Sequence, residues 1–471
     1  MPAHVSAIEV SGLCLDSRRI EPGDAFVALP GRARDGMQFA GQALASGAAV
    51  VLHPGDSEPP AAIADRCLAV PGLVQRLDEI ARRVWDDPAA DLDLIAVTGT
   101  NGKTSVAWML ARALDGAMIG TLGIGRPGAQ IETSHTTPDL PGLYRALARL
   151  RDQGERIVVL EASSHALDQG RLAGLSFSSA IFTNLGHDHL DYHQSIEAYG
   201  EAKRRLFTEY SCDHCLINLD DPFGAALGER LRGHGDVRSY GMNAGDAPDY
   251  LATIRHASLD GMELEIATPT DRIEVRSPLI GRINAYNLAI VAATMDQRGH
   301  AARAVCDMLE TLSAVPGRMN RVDGPGGQRV IIDYAHTPDA LANALTTLRE
   351  VTPGRLICVF GCGGERDQEK RPRMGKAAES LADINILTDD NPRGEDSRRI
   401  LRAIQSGMAR PDRCRVMPDR ERAIVEAVSL AEPGDCVLVA GKGHEVVQEL
   451  DGRTLAFSDF EVVRRALAEA A

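Results

Sequence analysis

A short apolar run, Leu94-Ile95-Ala96-Val97-Thr98, passes directly into Gly99-Thr100-Asn101-Gly102-Lys103-Thr104-Ser105, and a helix-compatible stretch follows over residues 105–114. Apolar, β-branched residues bounded by turn formers predict a buried strand. Glycines let the backbone curl until its N–H groups converge on phosphate oxygens. The N-terminus of the following helix adds partial positive charge. Lys103 supplies a mobile full charge, and the Thr104 hydroxyl suits Mg²⁺. The general phosphate-loop pattern has Gly five residues before Gly102; Val97 stands there, so this loop is a variant. Strand, loop and helix in this order commit the chain to a parallel α/β sheet, whose ligand crevice lies beyond the carboxyl ends of the strands.

The rest of the chain continues that alternation. Further strands are expected at 157–160, 180–183 and 215–217, with helices at 143–153 and 196–207. A second series predicts strands at 330–332, 356–360, 384–387 and 437–439, and helices at 339–350, 374–381 and 420–429. A length of 471 residues suggests about three domains. Two stretches mark the boundaries: the acidic Asp86-Asp87-Pro88-Ala89-Ala90-Asp91, and Ala314-Val315-Pro316-Gly317. The expected fold class is therefore α/β in three domains: an N-terminal α/β domain over 1–88, a central P-loop ATPase-like parallel-sheet domain over 89–314, and a C-terminal Rossmann-like domain over 315–471. With 2 Trp, 8 Tyr and 9 Phe, the cores must be built from Ala, Leu, Val and Ile.

A net charge of −15 argues against nucleic acid and anionic membrane surfaces as partners. No run approaches the 18 or so apolar residues of a membrane span, and the N-terminus lacks the basic and apolar regions of a signal peptide. The 9 Cys are scattered, which predicts free thiols and a cytoplasmic location, and the chain is expected to act as a monomer. Cys212-Asp213-His214-Cys215 resembles half a zinc site, but no second ligand pair follows at suitable spacing.

Two acidic or imidazole sets fall where the crevice should be. Glu161 directly follows the expected strand 157–160, placed to meet phosphates through a metal. His187, Asp188, His189, Asp191 and His193 crowd after the strand at 180–183. Carboxylate plus imidazole is an unusual but workable set for Mg²⁺, which prefers oxygen ligands. Each histidine taken alone reads as a structural hydrogen-bonder; three within seven residues at a strand end make a ligand role an equal reading.

The loop Gly99 to Thr104, Glu161-Ala162-Ser163-Ser164-His165 and Thr183-Asn184-Leu185-Gly186-His187-Asp188-His189-Leu190-Asp191-Tyr192-His193 resemble the Mur ligases, ATP-dependent amide-forming enzymes of peptidoglycan assembly. Tyr199-Gly200-Glu201-Ala202-Lys203, Asn284-Ala285-Tyr286-Asn287, Gly317-Arg318-Met319 and Asp333-Tyr334-Ala335-His336-Thr337-Pro338 follow in family order. The resemblance implies an acyl-phosphate mechanism with ATP as co-substrate. It places Gly99, Thr100, Asn101, Gly102, Lys103, Thr104, Ser105, Asn284, Asn287, Arg318, Asp333 and His336 at ATP. It gives Lys103, Glu161, His189 and Lys203 catalytic roles. Thr104 and Glu161 would serve one Mg²⁺, and His189 another, helped by a CO₂-derived carbamate on Lys203. From spacing alone, Lys203 beside Arg204 and Arg205 is a solvated helix lysine. Asn284 and Asn287, three apart, share one helix side or cap a helix. Arg318, at the domain boundary, would engage only on closure.

Asp390-Asn391-Pro392-Arg393 is similar to the signature of the branch that uses meso-diaminopimelate, adding it to UDP-N-acetylmuramoyl-L-alanyl-D-glutamate. A guanidinium fork matches the extra carboxylate that separates this diamine from L-lysine. Arg366, Gly441 and Glu445 resemble further contacts of that pocket. The N-terminal domain would bind UDP through Leu15, Ser17, Arg32, Ala33 and Arg34. Thr136, Thr137, Ser163, Gln169 and Arg171 match residues that hold the muramoyl-peptide end. The alternatives left open are L-lysine or another diamino acid as acceptor, a folylpolyglutamate-synthetase-like ligase, and a P-loop module that moves a partner without amide chemistry.

Overall fold

The computed structural model describes residues 8–31, 35–55, 58–133 and 135–470; Arg32, Ala33 and Arg34 lie outside the described residues. By internal contacts the chain divides into two units, Met1–Leu251 with Ala289–Ala301, and Ala252–Leu288 with Ala302–Ala471.

The first unit holds a small parallel sheet of Gly12–Cys14, Asp24–Val27, Val50–His53 and Cys67–Ala69. Its larger sheet runs in the order Asp236–Gly241, Ser211–Asn218, Ser176–Phe182, Asp93–Thr98, Ile157–Glu161, Ala117–Gly120, all parallel, with Gly123–Gly125 antiparallel at the edge. The first of these strands in sequence, Asp93–Thr98, lies between Ile157–Glu161 and Ser176–Phe182. The chain leaves Asp93–Thr98 for Ala117–Gly120 on one side, and Ile157–Glu161 leads back past it to Ser176–Phe182 on the other, so the carboxyl end of Asp93–Thr98 lies at the switch point where ligands bind in doubly wound sheets.

One apolar core serves both sheets. Leu13, Ala25 and Val27 pack with Leu140, Leu143, Tyr144 and Leu147 of the helix Leu140–Asp152. The Arg145 guanidinium of that helix donates to Asp24 at 2.6 Å and to the Leu13 carbonyl at 3.0 Å. The acidic stretch near 88 is a tight turn, with Asp86 and Asp87 left-handed (φ 54° and 41°) before the short 3₁₀ turn Pro88–Asp91.

The second unit holds a six-stranded sheet ordered Asn320–Asp323, Arg329–Asp333, Cys436–Ala440, Leu356–Phe360, Ile384–Leu387, Arg415–Val416, antiparallel only at Asn320–Asp323. Its central strands read as unbroken apolar runs because both faces are covered. Ile331, Cys358 and Leu438 enter one core, while Val330, Ile332, Ile357, Val359, Val437 and Val439 enter the other. An antiparallel hairpin, Gly261–Ala267 with Arg272–Ser277, and the helices Arg282–Gln297 and Ala302–Thr311 lie outside the sequence expectations. Among the described residues, no helix is long and apolar enough to cross a membrane.

Candidate active site

The helix expected from Ser105 begins two residues earlier, at Lys103, because Gly102 takes the left-handed conformation (φ 89°) that lets the loop turn into it. Gly99 has φ 149°, and a Cβ there would sit 1.9 Å from the Thr183 hydroxyl, so only glycine fits. The loop is braced by the residues that follow Ser176–Phe182. The Asn101 N–H donates to Asn184 Oδ1 at 2.9 Å, and Asn184 Nδ2 donates back to the Asn101 carbonyl at 3.0 Å. The Thr183 hydroxyl donates to the same carbonyl at 2.6 Å. The Gly186 N–H donates to Thr100 Oγ1 at 2.8 Å, and that hydroxyl lies 3.2 Å from Tyr199 Oη. Lys103 Nζ folds back over the loop, donating to the carbonyls of Gly99 at 2.8 Å and Thr100 at 3.0 Å.

Glu161 is buried beside this loop. Its Oε2 accepts from the Thr104 hydroxyl at 2.9 Å and its Oε1 from the Thr121 N–H at 2.8 Å. Gly120 leaves the room: a Cβ there would lie 2.2 Å from Glu161 Oε1. The residues expected at the muramoyl-peptide end form one network with Glu161. Thr136 Oγ1 lies 3.1 Å from the Thr121 hydroxyl. The Thr137 hydroxyl donates to the Glu161 carbonyl at 2.5 Å and stands 3.1 Å from Ser163 Oγ, which caps the helix Ser164–Asp168. Arg171 donates to the Thr137 carbonyl at 2.7 Å and, through Nε and Nη2, to Gln169 Oε1 at 3.0 and 2.7 Å. In the N-terminal sheet region, Ser17 is buried and donates to Gln42 Oε1 at 3.2 Å, and Leu15 packs against the shared core.

Aromatic rings line the other side of the loop. His165 stacks near His189, Tyr192 and His193, with centroids 4.8, 4.2 and 5.5 Å away. Burial, then the like charge of His189 and His193, lowers the His165 pKa. His193 Nε2 is 3.0 Å from Ser164 Oγ. His189 is exposed and left-handed (φ 52°), with its N–H on Asp188 Oδ1 at 2.9 Å, and His187 is exposed. Lys203 is not solvated: its side chain is buried on the helix Ile196–Thr208, with Nζ 4.2 Å from the Tyr199 ring centroid and 2.8 Å from the Gly99 carbonyl, to which it donates. Burial first, then the positive charge of Lys103, pushes its pKa well below the ordinary lysine value.

In the second unit, Asn284 and Asn287 are buried on one side of the helix Arg282–Gln297. Asn287 Nδ2 donates to Asn284 Oδ1 at 3.0 Å, and Asn284 Nδ2 donates to the Ile280 carbonyl at 2.9 Å. Asp333 ends its strand and accepts the Met319 N–H at 2.8 Å; burial raises its pKa, opposed by Arg318 and by backbone donors. The Arg318 guanidinium lies 4.8 Å from the Tyr334 ring centroid, and His336 Nδ1 is 2.8 Å from the Tyr334 carbonyl.

The Asp390-Asn391-Pro392-Arg393 segment forms a tight polar turn after Ile384–Leu387. The Arg393 Nε is 2.6 Å from Glu449 Oε2, and its Nη1 donates to the Gly364 carbonyl at 3.0 Å. Gly364 packs on the turn so closely that a Cβ would lie 1.9 Å from the Pro392 carbonyl. A Cβ on Gly363 would contact both Arg393 Nη1 at 3.1 Å and Arg366 Cγ at 3.8 Å, so the two arginines flank one spot. Asn391 Nδ2 donates to Glu445 Oε2 at 2.9 Å. The fully buried Lys442 Nζ donates to Asn391 Oδ1 at 3.0 Å and to Glu445 Oε2 at 2.8 Å. Gly441 stands 2.4 Å, at its would-be Cβ, from Asp390 Oδ2.

Several contributors were not singled out from sequence: Thr121 and Gly120 at Glu161, Thr183, Asn184 and Tyr199 at the loop, and Lys442 and Glu449 at the arginine turn. Thr183 and Asn184 sit inside a quoted motif, where a polar residue at a strand end was the available signal, and Tyr199 sits inside another, on the helix Ile196–Thr208. Thr121 carried none.

A doubly wound sheet with a phosphate loop at its switch point, in a chain that carries a second doubly wound unit, defines a P-loop α/β protein of more than one nucleotide-type fold unit. Three family models match successive stretches of the chain: "Mur ligase family, catalytic domain" over 9–85, "Mur ligase middle domain" over 97–295, and "Mur ligase, glutamate ligase domain" over 317–443. A UDP-N-acetylmuramoyl-L-alanyl-D-glutamate--2,6-diaminopimelate ligase of Xylella fastidiosa strain Temecula1 is 45% identical over 473 residues, spanning 98% of this chain and 94% of the relative. One of the same name from Chromobacterium violaceum is 46% identical over 464 residues, spanning 96% and 93%. A solved structure of a ligase of that name is 36% identical with a TM-score of 0.71, covering 98% and 95%. The chain belongs to the Mur ligase family.

Proposed function

We propose that this protein joins meso-diaminopimelate to UDP-N-acetylmuramoyl-L-alanyl-D-glutamate at the expense of ATP, in cytoplasmic peptidoglycan precursor synthesis, acting as a monomer. The observation that carries the reading is the Arg393 turn, set in a chain 45% identical over nearly its whole length to relatives named for this pairing. A glutamyl carboxylate oxygen attacks the γ-phosphorus of ATP and ADP leaves, giving an acyl phosphate. An amine nitrogen of the diamine then attacks the acyl carbon, phosphate departs with the carbon–oxygen electron pair, and the nitrogen gives up a proton. Both steps demand positioning and charge neutralisation more than covalent help from the protein.

Lys103 and the N–H groups of Gly99 to Ser105 are suited to the β- and γ-phosphoryl oxygens. The buried Thr104–Glu161 pair, all oxygen, fits one Mg²⁺. The buried, weakly basic Lys203 amine fits carbamylation, in which its nitrogen bonds CO₂ and a proton leaves. With His189 it would then hold a second Mg²⁺. When bound, these ions would neutralise charge on the transferring phosphoryl group. Asn284, Asn287, Arg318, Asp333 and His336 are assigned to the nucleoside and phosphates of ATP. Leu15, Ser17, Arg32, Ala33, Arg34, Thr136, Thr137, Ser163, Gln169 and Arg171 are assigned to the UDP-muramoyl-dipeptide. Arg366, Asp390, Asn391, Pro392, Arg393, Gly441 and Glu445 are assigned to the diamine, with arginine forks for its distal carboxylate and Glu445 for an ammonium. Domain boundaries at 88/89 and 314/315 complete the proposal.

Phosphate release with ATP and UDP-muramoyl-dipeptide, compared across meso-diaminopimelate, L-lysine and no amino acid, tests the reading. Release that requires the diaminopimelate and yields a tripeptide precursor supports it. Equal release in all three arms overturns it.

A further inference from the structure

Arg393 already has a carboxylate partner inside the protein. The antiparallel hairpin Val447–Leu450 with Arg453–Ala456 docks on the arginine turn by backbone bonds. The Arg393 N–H donates to the Glu449 carbonyl at 3.0 Å, and the Asp451 N–H donates to the Arg393 carbonyl at 2.8 Å. The Glu449 N–H donates to Asn391 Oδ1 at 3.0 Å, and Gln448 Nε2 donates to the Asp390 carbonyl at 2.9 Å. These bonds hold Arg393 in its left-handed conformation (φ 55°) without any help from the Glu449 side chain. The Gly364 carbonyl separately fixes the guanidinium through Nη1 at 3.0 Å. The Glu449 carboxylate, 2.6 Å from Nε, therefore adds charge to a group whose position is already set.

We propose that Glu449 is a specificity-determining residue for the acceptor amino acid: a built-in counter-ion that lessens what Arg393 gains from a ligand's distal carboxylate. The inference rests on the acceptor pocket proposed above. A pocket rejects a ligand lacking a charged group chiefly because its own partner is left unpaired. With Glu449 in place, Arg393 is not left unpaired when a diamine without a distal carboxylate, such as L-lysine, binds. The same carboxylate repels the distal carboxylate of diaminopimelate. Both effects narrow the gap between the two acceptors. The pair is partly exposed, with side chains 25% and 44% accessible, so each effect is modest.

The test compares wild type with Glu449→Gln, which keeps an acceptor for Nε and removes the charge, and with Glu449→Ala. Phosphate release gives kcat and KM for meso-diaminopimelate, L-lysine and ATP. Glu449→Gln should lower KM for meso-diaminopimelate by about 3-fold at low salt, with the gain shrinking as salt is raised. KM for ATP and kcat should stay unchanged, and the preference for diaminopimelate over L-lysine should widen. Glu449→Ala should move in the same direction. An unchanged or raised KM for diaminopimelate in Glu449→Gln, or equal shifts for both acceptors, overturns the counter-ion role. A wild-type enzyme that ignores diaminopimelate would instead overturn the proposed function, so the two failures are distinct.

Discussion

Lys103 and Lys203 donate to one and the same acceptor, the Gly99 carbonyl oxygen, each at 2.8 Å. Burial first, and then the positive charge of Lys103 so close by, lowers the Lys203 pKa. A lysine depressed in the fold binds fewer protons than in the unfolded chain, so stability rises with pH between the folded pKa and the ordinary value near 10.5. Lys203→Met should remove that rise, seen as a flatter dependence of Tm on pH across the alkaline range. The same substitution should cut phosphate release by about 100-fold or more. In Lys203→Ala, added short carboxylates should restore part of the activity, as a carbamate substitute would.

Gly99→Ala should disable the loop rather than merely weaken it. The φ of 149° strains any residue but glycine, and a methyl group would sit 1.9 Å from the Thr183 hydroxyl, which must swing away, with the Asn184 backbone next at 3.0 Å. The cost should be about 2–4 kcal/mol in urea unfolding. ATP affinity, measured by calorimetry on protein still folded, should fall as well. Thr183→Ala in the same chain should recover part of the stability, since the nearest atom met by that methyl is the threonine hydroxyl.

Arg393→Ala should raise KM for meso-diaminopimelate by about 100-fold while KM for ATP changes little. Equal changes in both constants would place the arginine outside the acceptor pocket. Arg366→Ala, which removes the second arginine beside Gly363, should act in the same direction.

The strands around the loop were legible because a parallel sheet covered on both faces writes itself as short apolar runs, as at Asp93–Thr98 and Leu356–Phe360. The hairpin strand Arg272–Ser277 alternates exposed and buried side chains strictly, a pattern present in the sequence but not taken up. Lys203 shows the limit of local reading. Its neighbours Arg204 and Arg205 suggest solvent, and only the fold reveals Tyr199 and the Gly99 carbonyl against its amine. Thr121 and Glu449 gave no signal, since each acts through a partner dozens of residues away.

Glu395 accepts both Arg371 Nη1 at 2.8 Å and Nη2 at 2.7 Å, a bidentate pair that supports the Gly363 segment. Chiefly through those bonds, its pKa falls from 4.5 to about 2. A carboxylate depressed in the fold contributes stability that is complete above its unfolded value and lost as pH drops from there toward 2. Glu395→Gln should therefore unfold more readily at neutral pH, with the difference from wild type vanishing as pH approaches 2. Urea midpoints at pH 7, 4 and 2.5 provide the check; a gap that persists at pH 2.5 would mean that something other than ionisation holds the segment.

Arg420 and Asp459 form an ion pair with no solvent exposure, Nε to Oδ1 and Nη2 to Oδ2 both at 2.7 Å. The same guanidinium donates to the Ala440 carbonyl at 3.0 Å and reaches the Asp389 carbonyl at 3.4 Å. Those two residues immediately precede Gly441 and Asp390, so the pair ties together the strand ends that carry the proposed acceptor site. Removing one partner leaves a buried charge with nothing to neutralise it, which costs about 3–5 kcal/mol. Asp459→Ala should lose that much stability. Replacing both, as Arg420→Met with Asp459→Leu, should recover most of it, because desolvating two charges was itself costly. The double variant would still lack the donors to Ala440 and Asp389. Its KM for diaminopimelate should therefore stay raised by several-fold at restored Tm, whereas a purely stabilising pair would let KM return with the fold.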